Sequence, residues 1–162
     1  MHGAVVRTQR LTPALVRVVL GGPGLDGFTP ADGTDAYVNL AFAPEGAPYG
    51  PVFDPRAVRE EQPRELWPAR RRYTVRRWDA AAAELTLDFV VHVDTGVAGR
   101  WAAHAAPGDL LVFDGPSSGY RPDPEADWHL LVGDESALPA LAASLEVLPE
   151  GAPPVLRLVR AG

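Results

Sequence analysis

Short runs of alternating or β-branched residues, each stopped by glycine, proline or aspartate, restrict what this chain can build. The runs are Leu15–Leu20, Ala36–Phe42, Arg72–Trp78, Glu84–His92 and Leu110–Phe113. Period-two alternation over stretches this short, fenced by turn formers, predicts an antiparallel barrel or sandwich. Seventeen prolines and sixteen glycines in 162 residues favour many turns and short elements over a helical bundle. Helical signal in this part of the chain is confined to Ala98–Ala105, which Pro107-Gly108 closes. Between two strands, residues 44–68 carry several prolines and a charged patch from Arg56 to Glu65. They predict a long surface excursion with one helical turn, either covering a ligand or simply solvated.

The pattern changes after Tyr120. Arg121-Pro122-Asp123-Pro124-Glu125 reads as a linker. Trp128–Gly133 then reads as an apolar strand buried on both faces, followed by a helix over Ser136–Leu148 and a second apolar strand over Val155–Val159. Strand, helix, strand opens a parallel sheet, and one such unit leaves an open edge. The expected architecture is mainly β: an antiparallel Greek-key barrel over residues 1–120, then the opening βαβ unit of an incomplete α/β domain over 126–162. The open edge is a possible dimerisation surface.

Composition removes several chemistries. Without cysteine there are no disulfides, thiolate metal sites or thiol nucleophiles. All fifteen basic residues are arginine, so no lysine is present to form a Schiff base or grip a phosphate. A net charge of −6 argues against general nucleic-acid binding. No run reaches the ~20 apolar residues of a membrane span and no leader pattern opens the chain, so a cytoplasmic protein is expected. His2, His92, His104 and His129 show no metal-site spacing.

Against that acidic background, Arg70-Arg71-Arg72-Tyr73-Thr74-Val75-Arg76-Arg77 is a cationic island. Guanidinium forks match phosphate or carboxylate oxygens in pairs, and an adjacent aromatic ring offers a stacking surface. The segment therefore suits a ligand both phosphorylated and planar, such as a dinucleotide flavin. Alternation sets Arg71, Tyr73 and Val75 on one face and Arg72, Thr74 and Arg76 on the other, so one pocket collects them only where the strand bends. The competing reading is an edge strand guarded by positive charge. Gly96-Val97-Ala98-Gly99-Arg100-Trp101 is a glycine turn entering a helix, able to aim amides at an anion or serve as a plain connection. His92 ends the strand before it. Gly133-Asp134-Glu135-Ser136 lies at the carboxyl end of a parallel strand, where its carboxylates suit N-capping better than phosphate. Trp67, Trp78, Trp101 and Trp128 read as packing residues.

These blocks, in this order, resemble the siderophore-interacting protein family of flavin-dependent ferric-siderophore reductases, related to the ferredoxin reductases. The matching residues are Arg71-Arg72-Tyr73-Thr74-Val75-Arg76, Asp88-Phe89-Val90-Val91-His92, Gly96–Ala102, Pro107-Gly108-Asp109 with Gly115-Pro116, and Gly133–Ala140. Val97 replaces the family's usual proline and Ser136 its usual threonine. The resemblance implies a flavin-binding barrel followed by a nucleotide-binding domain, which in family members carries roughly a hundred more residues, in line with ordinary domain sizes.

By the same resemblance, Arg71 would hold the FAD pyrophosphate, Tyr73 would lie against the isoalloxazine, and Thr74 would hydrogen-bond near its reactive nitrogen. Arg76 and His92 would support a phosphate or the ring edge, and the amides of Gly96, Val97, Ala98, Gly99 and Trp101 the remaining phosphate oxygens. Val75, Asp134, Glu135, Ser136 and Ala137 complete the cofactor set. Arg70, Arg72 and Arg77 are the expected contacts for an anionic ferric siderophore. The expected donor is NAD(P)H or reduced ferredoxin, with a different flavin oxidoreductase or a non-catalytic flavin module as alternatives.

Overall fold

The computed structural model describes residues 1–91, 96–152 and 154–159, so His92 lies outside the described residues. β1 (His2–Thr12) and β2 (Leu15–Gly21) form an antiparallel hairpin. β3 (Tyr37–Phe42), β4 (Ala69–Thr74), β5 (Arg77–Asp79), β6 (Glu84–Val90) and β7 (Leu110–Ser117) complete one seven-stranded sheet in the order β4-β3-β7-β1-β2-β6-β5. β2 and β3 follow each other in the chain but are not neighbours, a Greek-key crossover.

The run expected as one strand, Arg72–Trp78, is two. β4 pairs with β3, whereas β5 pairs with β6. Between them the Val75 amide donates to the Ala36 carbonyl at 2.6 Å and the Arg76 amide to the Thr86 carbonyl at 3.0 Å. The chain changes partner within these two residues, so the two outer strands of the sheet are halves of one bent segment, and the sheet closes as a barrel. Closure removes the free edge.

The barrel interior follows from alternation. Leu85, Leu87 and Phe89 of β6 and Val38 and Leu40 of β3 are fully buried, with Val18, Leu20 and Phe113. On the outer side of β6, Asp88 is also buried; Arg17, its register partner on β2, meets it with two hydrogen bonds of 2.7 and 2.8 Å. That pairing gives Asp88 of the Asp-Phe-Val block a structural role, because a buried carboxylate needs a charge-matched, hydrogen-bonded partner.

The long excursion holds α1 (Pro55–Glu61), which Asp54 caps by accepting from the Arg56 amide at 2.8 Å. The Tyr49 hydroxyl donates to the Leu66 carbonyl at 2.8 Å and the Trp67 indole to the Gln62 carbonyl at 2.9 Å, pinning the excursion to itself. α2 (Val97–His104) caps the mouth of the barrel, burying Ala98, Gly99 and Ala102. A Cβ on Gly99 would lie 3.1 Å from the Val90 carbonyl oxygen, a backbone atom that cannot yield easily. Gly99→Val is therefore expected to lift the first turn of α2 and lower the melting temperature by roughly 2–10 °C, read by calorimetry.

β8 (His129–Gly133), a 3-10 turn at Glu135–Ala137, α3 (Leu138–Glu146) and β9 (Pro154–Leu158) form the expected strand–helix–strand unit, with β8 and β9 parallel. β8 is buried on one face only. His129 and Leu131 point inward, while Leu130 and Val132 are about half exposed and Trp128 is 60% exposed. The expectations of two-sided burial for β8 and of packing for Trp128 are thus corrected: α3 covers one face, and nothing among the described residues covers the other. The unit is tied to the barrel by the buried Ser144 hydroxyl, which donates to the Thr34 hydroxyl at 2.8 Å.

Candidate functional site

β4 carries its arginines on two opposed faces. Register pairs Tyr73 with Val38 and Arg71 with Leu40, so these two side chains share the inner face at the barrel mouth. Arg70, Arg72 and Thr74 pair with Ala41, Asn39 and Tyr37 on the outer face.

At the mouth, the Tyr73 ring lies 4.3 Å from that of Phe89, tilted by 31°. Phe89 in turn meets Trp101 of α2 at 5.6 Å, and Trp101 meets Phe42 at 5.9 Å. Tyr73, Phe89, Trp101 and Phe42 form one aromatic platform joining β4, β6, α2 and β3. Burial raises the Tyr73 phenol pKa above its ordinary value, and the nearby Arg71 charge partly opposes the shift. The phenol is therefore neutral at physiological pH, an uncharged flat surface for a ring to lie on.

Of the five arginines in the segment, three have carboxylate partners. Arg70 donates to Asp114 at 2.5 Å, Arg76 makes a two-pronged contact with Glu146 at 2.5 and 3.1 Å, and Arg77 lies 3.5 Å from Asp79. Arg72 stands over the Tyr37 ring, 4.5 Å from its centroid. Arg71 is exposed and donates only to the Arg70 carbonyl, at 2.8 Å; among the described residues no carboxylate neutralises it. It is the cation left available to an anion at the mouth.

α2 begins beside the same platform. Gly96 precedes it with φ +90°, a conformation that favours glycine, and among the described residues no side chain caps the helix. The first-turn amides of Val97, Ala98 and Gly99 have no intrahelical acceptor of their own, as in any α-helix. Arg71 and Tyr73 share one face of β4, and the Tyr73 ring reaches Trp101 of α2 through Phe89; Thr74 ends β4 and Val75 after it is buried.

Arg76 does not join them. The partner change at residues 75–76 turns it to the outer side, into a cavity of about 590 Å³ between the barrel wall and α3. Arg7, Arg17, Arg76 and Arg77 all line that cavity, and each has a carboxylate partner, respectively Glu84, Asp88, Glu146 and Asp79. The Arg7 hydrogen bond holds the Glu84 carboxyl below its usual range. A self-neutralised cleft has little charge to offer an anion. Arg76 and Glu146 reach each other across exposed surface, so Glu146→Ala is expected to shift the urea midpoint by less than about 1 kcal/mol in stability.

Asp134 caps its turn, accepting from the Ser136 amide at 2.9 Å and from the Ser136 hydroxyl at 2.6 Å, and those bonds lower its pKa. Glu135, exposed Ser136 and Ala137 complete that turn, which lies near β6. One cluster escaped the sequence reading. Arg56 and Arg59 of α1 join Arg70, Asn39 and Asp114 around a cavity of about 350 Å³ on the outer face of β3 and β4. Their spacing of three in a helix was the available signal. Among the described residues no group of three or more histidines and carboxylates is placed to hold a metal, and no helix is long and apolar enough to cross a membrane.

Comparison with known proteins gives the family and the fold. Residues 4–120 match the model of the siderophore-interacting FAD-binding domain, and residues 126–159 that of the siderophore-interacting protein. An uncharacterised protein of Mycobacterium tuberculosis is 49% identical over 150 residues, which is 91% of this chain and 53% of that protein. The NADPH-dependent ferric-chelate reductase of Escherichia coli is 40% identical over 146 residues, 89% of this chain and 55% of the enzyme. The crystal structure of a siderophore utilization protein from T. fusca superposes with a TM-score of 0.80 at 38% identity, over 100% of this chain and 61% of its own. The chain thus spans a little over half the length of the curated relatives it matches. With the barrel, the arginine–tyrosine strand and the glycine-led helix in place, the chain belongs to the siderophore-interacting family with its FAD-binding domain.

Proposed function

We propose that this chain binds FAD across the barrel mouth and takes part in reducing ferric iron held by a siderophore. The observation that carries the reading is Arg71, which has no carboxylate partner among the described residues and shares the inner face with the half-buried Tyr73 ring of the platform that α2 joins. Those residues fit the cofactor: a fork for the pyrophosphate, a flat phenol for the isoalloxazine, and amides for the remaining phosphate oxygens. Thr74 supplies a hydroxyl where the strand bends, and Phe89 holds the tyrosine ring at its angle. Arg76 would reach the cofactor only after releasing Glu146.

Bound FAD supplies the conversion of a hydride donor's electron pair into the single-electron transfers that ferric iron requires. The outer face of the same strand suits the substrate. Arg70, with Arg56 and Arg59 opposite, lines a cavity holding one carboxylate, Asp114, and the three would attract an anionic ferric chelate, with Arg72 on the same outer face over the Tyr37 ring. Arg77, paired with Asp79 on the far side, is not in that cavity. The name of the Escherichia coli relative favours NADPH as donor, with reduced ferredoxin the other candidate.

The test is to load the purified chain with FAD and mix it with a ferric siderophore, a ferrous chelator, and NADPH or reduced ferredoxin. Flavin bleaching followed by ferrous-chelate colour is the expected result. A colourless chain that takes up no FAD ends this reading. FAD that binds but is bleached by neither donor makes the chain a flavin-binding module. Equal rates with unrelated acceptors make it a general flavin oxidoreductase.

A further inference from the structure

The arginine-lined cavity on the outer face of β3 and β4 holds one acid, and that acid fits its partner incompletely. Asp114, the register partner of Asn39, meets Arg70 through a single guanidinium nitrogen, Nη2, at 2.5 Å. The same nitrogen also donates to the Asn39 carbonyl at 3.3 Å. The Nε of Arg70, on the same edge of the guanidinium, is buried and has no acceptor among the described residues. Arg17 shows a complete pairing, since its Nε and Nη2 both meet the Asp88 carboxylate. The Asp88 side chain is 5% exposed and held in place, whereas that of Asp114 is 38% exposed and reaches solvent.

The rest of the cavity is cationic. Arg56 and Arg59, neighbours one turn apart on the capped helix α1, line it with Arg70. Among the described residues neither has a carboxylate partner, and Arg59 stands 5.3 Å from the centroid of the Trp67 ring. Three guanidiniums against one carboxylate leave a formal charge of +2. A volume of about 350 Å³ is at the small end for ligand pockets, so the cavity takes one arm of a large chelate. Accepting the chelate reading above, on which this rests, we propose that Asp114 is a resident competitor for the cavity: an anionic ferric chelate displaces it from Arg70, and it returns to expel the iron-free chelator. The difference in charge between the two ligands drives the exchange. A ferric tris-catecholate is a trianion. Once its iron has left, each freed oxygen takes up a proton from water and the chelator loses its charge. The trianion outcompetes a single carboxylate for the guanidiniums, and the protonated chelator does not. Asp114 thereby weakens binding of the substrate and hastens release of the product.

Equilibrium dialysis of the full chain tests the assignment, with no reductant present and three probes: a ferric hexadentate tris-catecholate, its iron-free form, and a neutral ferric trihydroxamate. Wild type is expected to bind the trianion at least about tenfold more tightly than the other two. Asp114→Asn keeps the shape and removes the charge, so its melting temperature should stay within about a degree or two of wild type. It should tighten the trianion by roughly 3- to 30-fold, between the worth of an exposed ion pair and that of a charge-assisted hydrogen bond, and leave the trihydroxamate within about twofold. The gain should shrink with added salt. A purely structural role for Asp114 predicts the reverse, because loosening Arg70 would weaken the trianion. If Asp114→Asn leaves the trianion unchanged or weaker, or tightens both ferric chelates alike, Asp114 is no competitor and the chelate reading of the cavity still stands. The double change Arg56→Gln and Arg59→Gln tests that reading separately and should weaken the trianion at least about tenfold. If it does not, or if wild type shows no preference for the trianion, the cavity is not the chelate site and the role of Asp114 falls with it.

Discussion

Phe89→Ala is expected to destabilise the chain by about 3–5 kcal/mol and to loosen flavin binding at the same time. Phe89 is fully buried, and its ring meets both Tyr73 of β4 and Trp101 of α2. Truncation opens a cavity at a point where β4, β6 and α2 share a contact, and neither strand can move in to fill it without breaking its ladder. Denaturant unfolding should show a lower midpoint at an unchanged slope, because the loss is in the native state and not in the surface exposed on unfolding. Phe89→Leu retains most of the volume and should cost less than about 1.5 kcal/mol while still removing the ring beneath Tyr73. The pair separates stability from site geometry. If Phe89→Leu binds FAD as tightly as wild type, the aromatic platform does not orient Tyr73.

Arg71→Ala should weaken FAD by about 30- to 150-fold, the equivalent of roughly 2–3 kcal/mol for charge-assisted hydrogen bonds to a phosphate, and leave the melting temperature within a degree or two. The small structural effect follows from its surroundings: the side chain is exposed and its single hydrogen bond is to the carbonyl of the preceding residue. Arg71→Lys keeps the charge and loses the fork, so it should recover only part of the affinity, and that part should fade with added salt. Arg72→Ala is the control, since Arg72 lies on the outer face over Tyr37 and faces away from the mouth. Equal losses from Arg71→Ala and Arg72→Ala would show that the segment acts as a diffuse positive field, and the assignment of the pyrophosphate to Arg71 would fail.

Much of the barrel was legible because it is written in local chemistry. The run from Glu84 alternates so that Leu85, Leu87 and Phe89 fall on one face, and the structure buries that face completely. Asp134 was readable as a cap from its place between a strand and a helix, and it caps. The glycine turn before α2 was readable for the same reason, since the positive φ at Gly96 favours a residue without a side chain. The N-terminal strand went unread: Val5-Val6-Arg7-Thr8 has no fencing turn before it, and its partners, β2 and β7, supply the pattern it lacks.

The arginine strand shows the limit most clearly. Composition alone identified a cationic segment in an acidic chain, and alternation alone divided it into two faces. Which arginine stayed free was decided by residues far away in sequence: Asp114 takes Arg70, Glu146 takes Arg76, and the Tyr37 ring takes Arg72. Likewise the break at Val75–Arg76 is set by the Ala36 and Thr86 carbonyls, which no window around residue 75 contains. Side-chain period and turn chemistry are properties of a few adjacent residues, so they were present in the chain itself; charge pairing, barrel closure and the arginine-lined cavity depend on groups brought together across tens of residues, and only the folded chain brings them within reach.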